Sequence, residues 1–262
     1  SFQNILTEKF RFQPTASQRK GFEKIAHFLS DATDDSLLLI KGYAGTGKTT
    51  LIGHLVKQLG QIRKKSVLMA PTGRAAKVLS AYAGKNALTI HKKIYFPKVD
   101  SGGTGVQFTL KENKHTHTVF IVDESSMIGD DRQQSKLFEN GSLLHDLVHY
   151  VTNGEKCQLI FVGDTAQLPP VNLGLSPALD EEELATQFNA TVYSVTLDDV
   201  VRQKAESGIL FNATGIRELL VEDQFEGFKF QLDGYKDVQR IIEGNEFLEL
   251  LNNALDEDGI DQ

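Results

Sequence analysis

What these 262 residues lack narrows the reading before any motif is considered. A single cysteine, Cys157, excludes an internal disulfide and any cysteine-rich zinc site. No apolar run approaches the roughly 18 residues of a membrane-crossing helix. The first residues also lack the basic-then-apolar pattern of a secretory signal. The expectation is a soluble, cytoplasmic protein with no membrane partner. Neither an internal repeat nor a low-complexity segment interrupts the chain. With 40% apolar residues it can build one good α/β core and a further piece, about two units by length. Its net charge of −7 is short of the cations that a polyanion binder needs.

Three segments carry chemistry. Gly42-Tyr43-Ala44-Gly45-Thr46-Gly47-Lys48-Thr49 satisfies G-x-x-x-x-G-K-[ST] and follows Ser36-Leu37-Leu38-Leu39-Ile40, an apolar run that reads as a buried strand. Glycines 42, 45 and 47 let the backbone curl so that successive N–H groups face phosphate oxygens. The helix that begins near Lys48 adds the positive end of its dipole. The pattern implies ATP held by residues 42 to 50, including Ala44, Thr46 and Thr50, with Lys48 on the β and γ phosphates and Thr49 on Mg²⁺. A second apolar run, Val119 to Val122, delivers Asp123 and Glu124 at its carboxyl end, where open α/β sheets keep their ligands. Asp123 is expected to hold Mg²⁺ through a water, and Glu124 to orient and deprotonate the attacking water. A third run, Cys157 to Val162, leads into Gly163-Asp164 and a loop stiffened by Pro169-Pro170 that carries Gln167. Gln167 is either a γ-phosphate sensor or part of a surface turn.

Taken in order, GYAGTGKT, VDESSM and GDTAQLPPV resemble the superfamily 1 helicases of the RecD, Dda and Pif-like branch, over residues 12 to 203. The resemblance implies a RecA-like, doubly wound, mainly parallel sheet and an ATP-driven motor moving 5′ to 3′ on single-stranded DNA. It implies further that Gln18, in Pro14-Thr15-Ala16-Ser17-Gln18, meets the adenine edge. Pro71, Thr72, Arg74 and Lys77 would grip the DNA backbone, as would Thr89 and His91, although a lone histidine can equally be structural. Arg202, in Val200-Val201-Arg202-Gln203, would reach the γ-phosphate from the start of a second motor domain. Some members work within exonuclease and repair complexes, so nuclease subunits are implied partners, yet no nuclease site is recognisable here. RNA in place of DNA, or a nucleotide-dependent binding module without translocation, remain open alternatives.

Charge is strongly polarised. Residues 61 to 120 hold 11 Lys and Arg against 2 Asp and Glu, a local +9 in a chain of net −7. That stretch contains both DNA motifs, which suits a phosphate backbone lying on one face; a solvated basic face is the plainer reading. Within it, 93 to 118 reads as a poorly periodic insert in which Val106 to Leu110 alternates as a half-buried strand; the family resemblance implies a small duplex-splitting β-hairpin there, with an exposed Tyr95, Phe96 or Phe108 stacking on a base, and a plain loop or hairpin is the alternative. His115 and His117, without acidic or cysteine partners, read as a wet face and not as metal ligands.

The expected strands are 36–41, 66–70, 118–123, 157–163 and 191–196, giving a motor domain over 1–197. Residues 198–262 read as the incomplete start of a second RecA-like domain, with helices over 209–220 and 236–255 and a strand at Phe228 to Leu232. The later motifs that the resemblance implies are not found in it, so the chain is expected to be a truncated motor, weakly active alone, with a degenerate relative as the alternative.

Overall fold

The computed structural model describes residues 1–30, 33, 35–99, 106–129, 138–199, 207–221 and 228–257. It divides into two compact units, Ser1–Val201 and Arg202–Gln262.

The first unit begins with helices α1 (Phe2–Glu8) and α2 (Ala16–Ser30), followed by β1 (Ser36–Gly42) and α3 (Lys48–Gln58). Next come β2 (Lys65–Ala70), α4 (Gly73–Ala83), β3 (Ala87–Thr89) and the short α5 (Ile90–Ile94). A hairpin, β4 (Tyr95–Val99) and β5 (Val106–Leu110), leads to β6 (Thr118–Val122), α6 (Leu143–Thr152), β7 (Gln158–Gly163), α7 (Glu181–Phe188) and β8 (Thr191–Leu197). Six of these strands form one sheet in the order β3-β2-β6-β7-β1-β8. Every pairing in it is parallel, with Leu38 opposite Ile160, Ile121 opposite Ile160 and Leu68 opposite Ile121.

Parallel strands need crossover connections, and the crossovers place helices on both faces. Strand side chains therefore alternate between two apolar layers, neither of them wet. Leu38, Ile40, Val119, Ile121, Ile160 and Val162 pack with residues of α2, α3 and α4, among them Ile25, Leu55 and Leu79. Leu37, Leu39, Phe120, Val122, Leu159 and Phe161 pack with Leu147 and Val148 of α6 and Leu184 of α7. Each such side chain contributes about 1.5–3 kcal/mol on burial, so these layers fix the register that carries the strand ends.

Two differences from expectation concern the hairpin side. β3, only three residues long, escapes any periodicity test; it forms because Met69 and Ala70 of β2 offer a free ladder to Leu88 and Thr89. Tyr95, expected to be exposed, is 2% exposed, its hydroxyl donating to Asp146 Oδ2 at 2.6 Å. Phe96 is 59% exposed, and Phe108 is half-buried.

In the second unit, α8 (Gly208–Val221) and α9 (Gly244–Glu257) are helical. Phe228 to Leu232 is not a strand, despite its alternation. Asn212 of α8 supplies the hydrogen bonds that a neighbouring strand would have given, donating to Gln231 O (2.8 Å) and accepting from Gln231 N (2.7 Å). Nor is 236–243 helical. Asp237 instead accepts from Ser207 Oγ (2.6 Å) and Gly208 N (2.8 Å) at the start of α8.

Candidate functional site

β1 ends at Gly42, and the loop that follows turns directly into α3 at Lys48. Gly45 and Gly47 have φ of 82° and 88°, the left-handed region that a Cβ disfavours. At Gly42 a Cβ would lie 2.8 Å from Leu197 O and 2.8 Å from Thr46 Oγ1, so only glycine lets β8 approach the loop. Thr46 is fully buried; its hydroxyl donates to Tyr43 O at 2.8 Å, and its carbonyl accepts from Gln18 Nε2 at 3.2 Å. Gln18 is buried, 2% exposed: it braces the loop from α2, and its Oε1 accepts from Thr15 N at 3.2 Å. Ala44 and Thr50 are exposed and Thr49 is half-buried. Lys48 Nζ donates to Gly42 O and to Tyr43 O (2.9 Å) and lies 3.9 Å from Asp164 Oδ2 at the end of β7.

Asp123 extends the ladder of β6, its N–H donating to Met69 O at 3.0 Å. Burial pushes its carboxyl up to about 6; nearby Glu124 pushes the same way, while the Glu124 N–H and the Lys48 ammonium oppose. Glu124 has φ 54° and ψ 37°, a left-handed conformation that costs a non-glycine residue on the order of 1 kcal/mol or more. The chain turns abruptly there, held by Ser125 Oγ donating to Val122 O (2.9 Å) and Ser176 Oγ donating to Ile128 O (2.6 Å). Gln167 is tied to the same turn: its Oε1 accepts from Ser126 Oγ at 2.9 Å, and its N–H donates to Asp164 O at 3.3 Å. A continuous path of contacts therefore runs from Lys48 through Asp164 and Gln167 to Ser126, beside Glu124. Ser126 and Asp164 were not singled out from sequence. Ser126 sits inside the VDESSM segment, but its partner lies 41 residues away, a pairing that only the fold can set.

The donor set of this edge suits a polyphosphate carrying a hard divalent cation. It combines a glycine loop at a helix N-terminus, an ammonium, the Thr49 hydroxyl and the Asp123 carboxylate, all oxygen ligands where a metal is concerned. Among the described residues no cluster of His, Cys, Asp and Glu could hold a metal by itself. His115 meets Lys93, not His117, with Nζ to Nε2 at 2.7 Å.

The other expected contacts lie along the same carboxyl edge, on β2 and β3. β1 and β2 are three strand spacings apart, roughly 14 Å. Thr72 caps α4 by accepting from Ala75 N at 3.2 Å, and Thr89 caps α5 by accepting from Lys92 N at 3.2 Å. Each cap uses a lone pair and leaves the hydroxyl able to donate. Pro71 is half-buried; Arg74 and Lys77 are exposed. His91 is half-buried among aromatic rings, 5.8 Å from Tyr95, 5.3 Å from Phe108 and 6.4 Å from Phe138, and burial lowers its pKa. Arg202 lies outside the described residues.

A family profile described as an AAA domain matches residues 15–245. The ATP-dependent RecD2 DNA helicase of Deinococcus radiodurans is 31% identical over 199 residues, covering 76% of this chain and 24% of that protein. The ATP-dependent DNA helicase dda of Enterobacteria phage T4 is 34% identical over 167 residues, covering 63% of this chain and 34% of that protein. The ATP-dependent DNA helicase PIF1 of Candida albicans is 27% identical over 209 residues, covering 71% of this chain and 21% of that protein. The chain thus spans between about a fifth and a third of the length of these relatives. With the glycine loop, the Asp123-Glu124 turn and the Gln167 loop gathered on one sheet edge, and with relatives drawn from all three of its branches, this chain belongs to the RecD/Dda/Pif-like family of superfamily 1 helicases.

Proposed function

We propose that this chain is the ATP-site domain of a DNA helicase that moves 5′ to 3′ on single-stranded DNA. The observation that carries the reading is the contact path from Lys48 through Asp164 and Gln167 to the Glu124 turn, on the sheet edge that also presents Thr72, Arg74 and Lys77. In this reading bound Mg·ATP supplies a phosphoanhydride whose cleavage drives the motor. The glycine loop orients the phosphates, Lys48 exchanges its loop carbonyls for phosphate oxygens, and Thr49 and Asp123 hold the cation. Glu124 takes the proton of the attacking water, and Gln167 senses the γ-phosphate and relays its presence through Ser126. By family resemblance alone, Arg202 is assigned the stabilisation of charge on the γ-phosphate.

Leu168 and Val171, in the loop that carries Gln167, are 92% and 88% exposed. Apolar side chains so exposed beside a sensor suit burial against further protein, which supports slow turnover by this chain alone. Work in the cytoplasm and assembly with nuclease or repair subunits belong to the same proposal, on family resemblance. Anisotropy of a fluorescent single-stranded DNA across a salt series, with and without Mg²⁺ and a nonhydrolysable ATP analogue and with matched RNA as competitor, tests the reading. Salt-sensitive, nucleotide-responsive binding that prefers DNA is expected. Nucleotide binding without any strand binding would instead indicate a nucleotide-controlled docking module.

A further inference from the structure

Helix α2 is anchored at its first turn more heavily than a helix needs. Its cap is complete locally: Thr15 Oγ1 accepts from Gln18 N at 3.2 Å and Gln18 Oε1 accepts from Thr15 N at 3.2 Å, the reciprocal pair of a capping box. Such a box asks nothing of the glutamine's NH₂ group or of residues elsewhere in the chain. Here both are used. On one side the buried Gln18 donates through Nε2 to Thr46 O at 3.2 Å. On the other, Ser17 N donates to Asp199 Oδ2 at 2.8 Å, Asp199 N donates to Ser17 Oγ at 3.4 Å, and the Ser17 and Thr15 hydroxyls lie 3.3 Å apart. The Ser17 N–H, and after it the Ser17 hydroxyl, hold the Asp199 carboxyl below the usual aspartate value, so it meets the positive end of α2 as a carboxylate.

Both remote partners border the glycine loop. Thr46 is fully buried within it, and its hydroxyl donates to Tyr43 O at 2.8 Å, the same carbonyl that accepts from Lys48 Nζ at 2.9 Å. Asp199 lies two residues past the end of β8, whose Leu197 O would sit 2.8 Å from a Cβ at Gly42. A path of hydrogen bonds, with one peptide link from Ser17 to Gln18, therefore runs from Asp199 through Thr46 and Tyr43 to Lys48. We propose that Asp199 is a positioning residue for the nucleotide site. Acting through the α2 cap and Thr46, it holds the glycine loop in the form that receives a nucleoside triphosphate, so nucleotide affinity is set in part by the segment that leaves β8. The inference rests on the reading that residues 42–50 hold ATP. It adds a control of that site from outside the loop, and it gives the Gln18 amide a bracing role in place of base reading.

The test is a double-mutant cycle on the full chain, read as the Kd of a fluorescent ATP analogue with Mg²⁺. Asp199→Ala and Gln18→Ala should each raise Kd roughly tenfold, the loss of one bond that fixes the loop. Because both act on one path, Gln18→Ala/Asp199→Ala should also raise it roughly tenfold, not the roughly hundredfold of independent sites. Asp199→Asn keeps an oxygen for Ser17 N and should recover most of the affinity. Affinity for a fluorescent GTP analogue should fall in step with that for the ATP analogue in every variant. Circular dichroism and urea midpoints check that the variants are folded in the assay, where a role in stability alone would leave Kd unmoved. If wild type binds neither analogue, the ATP-site reading fails and takes the inference with it. If wild type binds and Asp199→Ala matches it, or the double variant shows the product of the single effects, the positioning role alone is overturned. It is overturned equally if Gln18→Ala weakens only the ATP analogue, because the amide would then read the base.

Discussion

The glycine-loop edge and the cleft beside the β4–β5 hairpin, lined by Lys92, Lys93, Lys111, Lys114 and Phe96, are both rich in charge, yet they manage it in opposite ways. At the loop, opposite charges and backbone dipoles interlock: Lys48 is held by two carbonyls and lies 3.9 Å from Asp164, while Asp123 accepts from Glu124 N at 2.9 Å. At the cleft, Lys93 contacts His115 and Lys111 covers Phe96, with a single loose carboxylate nearby. Internal satisfaction holds a geometry ready for a small ligand that must be placed accurately. Uncompensated charge fixes no register but attracts a polyanion from any direction. The first arrangement fixes a geometry, and the second fixes charge without one.

The sharpest way to break the contrast is Lys48→Ala. If Lys48 serves phosphate, residual ATP turnover should fall by at least ~100-fold, as for loss of a preorganised charge donor. Stability should fall by no more than ~3 kcal/mol, the loss of the bonds to Gly42 O and Tyr43 O, because the pairing with Asp164 is long. Turnover is read in a coupled assay and stability by urea unfolding. A large loss of stability would instead mark Lys48 as a clamp for its own loop.

Next in size is the joint between hairpin and core. Asp146, fully buried in α6, accepts from Tyr95 Oη (2.6 Å), Glu139 N (3.1 Å), Asn140 N (2.7 Å) and Asn140 Nδ2 (2.8 Å). Asp146→Ala strands all four donors and should cost about 3 kcal/mol or more, whereas Tyr95→Phe removes one of the four and should cost about 1 kcal/mol. Urea midpoints for the two variants test the ranking. Equal losses would show that Tyr95 alone ties the hairpin to the core.

How far these regions are legible in sequence follows from how local their causes are. β1, β6 and β7 are apolar runs buried on both faces, and a glycine loop after such a run has few alternatives. Tyr95 looks exposed because the acid that draws it inward lies 51 residues on. Gln18 looks like a surface residue because the carbonyl it braces belongs to Thr46, 28 residues away. The alternation at Phe228 to Leu232 describes a strand correctly as far as side chains go, but one asparagine, Asn212, supplies the backbone partners first. Residue types and spacings reveal which groups are available; which of them meet is decided by the crossovers.

The remaining expected effect is one of pH and concerns Asp123, where the loop edge is least self-satisfied. Its carboxyl is raised from 3.8 to about 6, chiefly by burial, so the folded chain binds a proton more tightly than the unfolded chain does. Stability then falls as pH rises from about 4 to about 6 and is level above that. Without divalent cation, Asp123→Asn should be more stable than wild type at pH 7, by on the order of 3 kcal/mol, and should match it below about pH 4. Urea midpoints at the two pH values settle the sign. Adding Mg²⁺ with a nonhydrolysable ATP analogue should erase the difference, since a cation beside the carboxylate offsets the cost of its burial. Its failure to do so would remove Asp123 from the metal site and leave burial alone to explain its raised pKa.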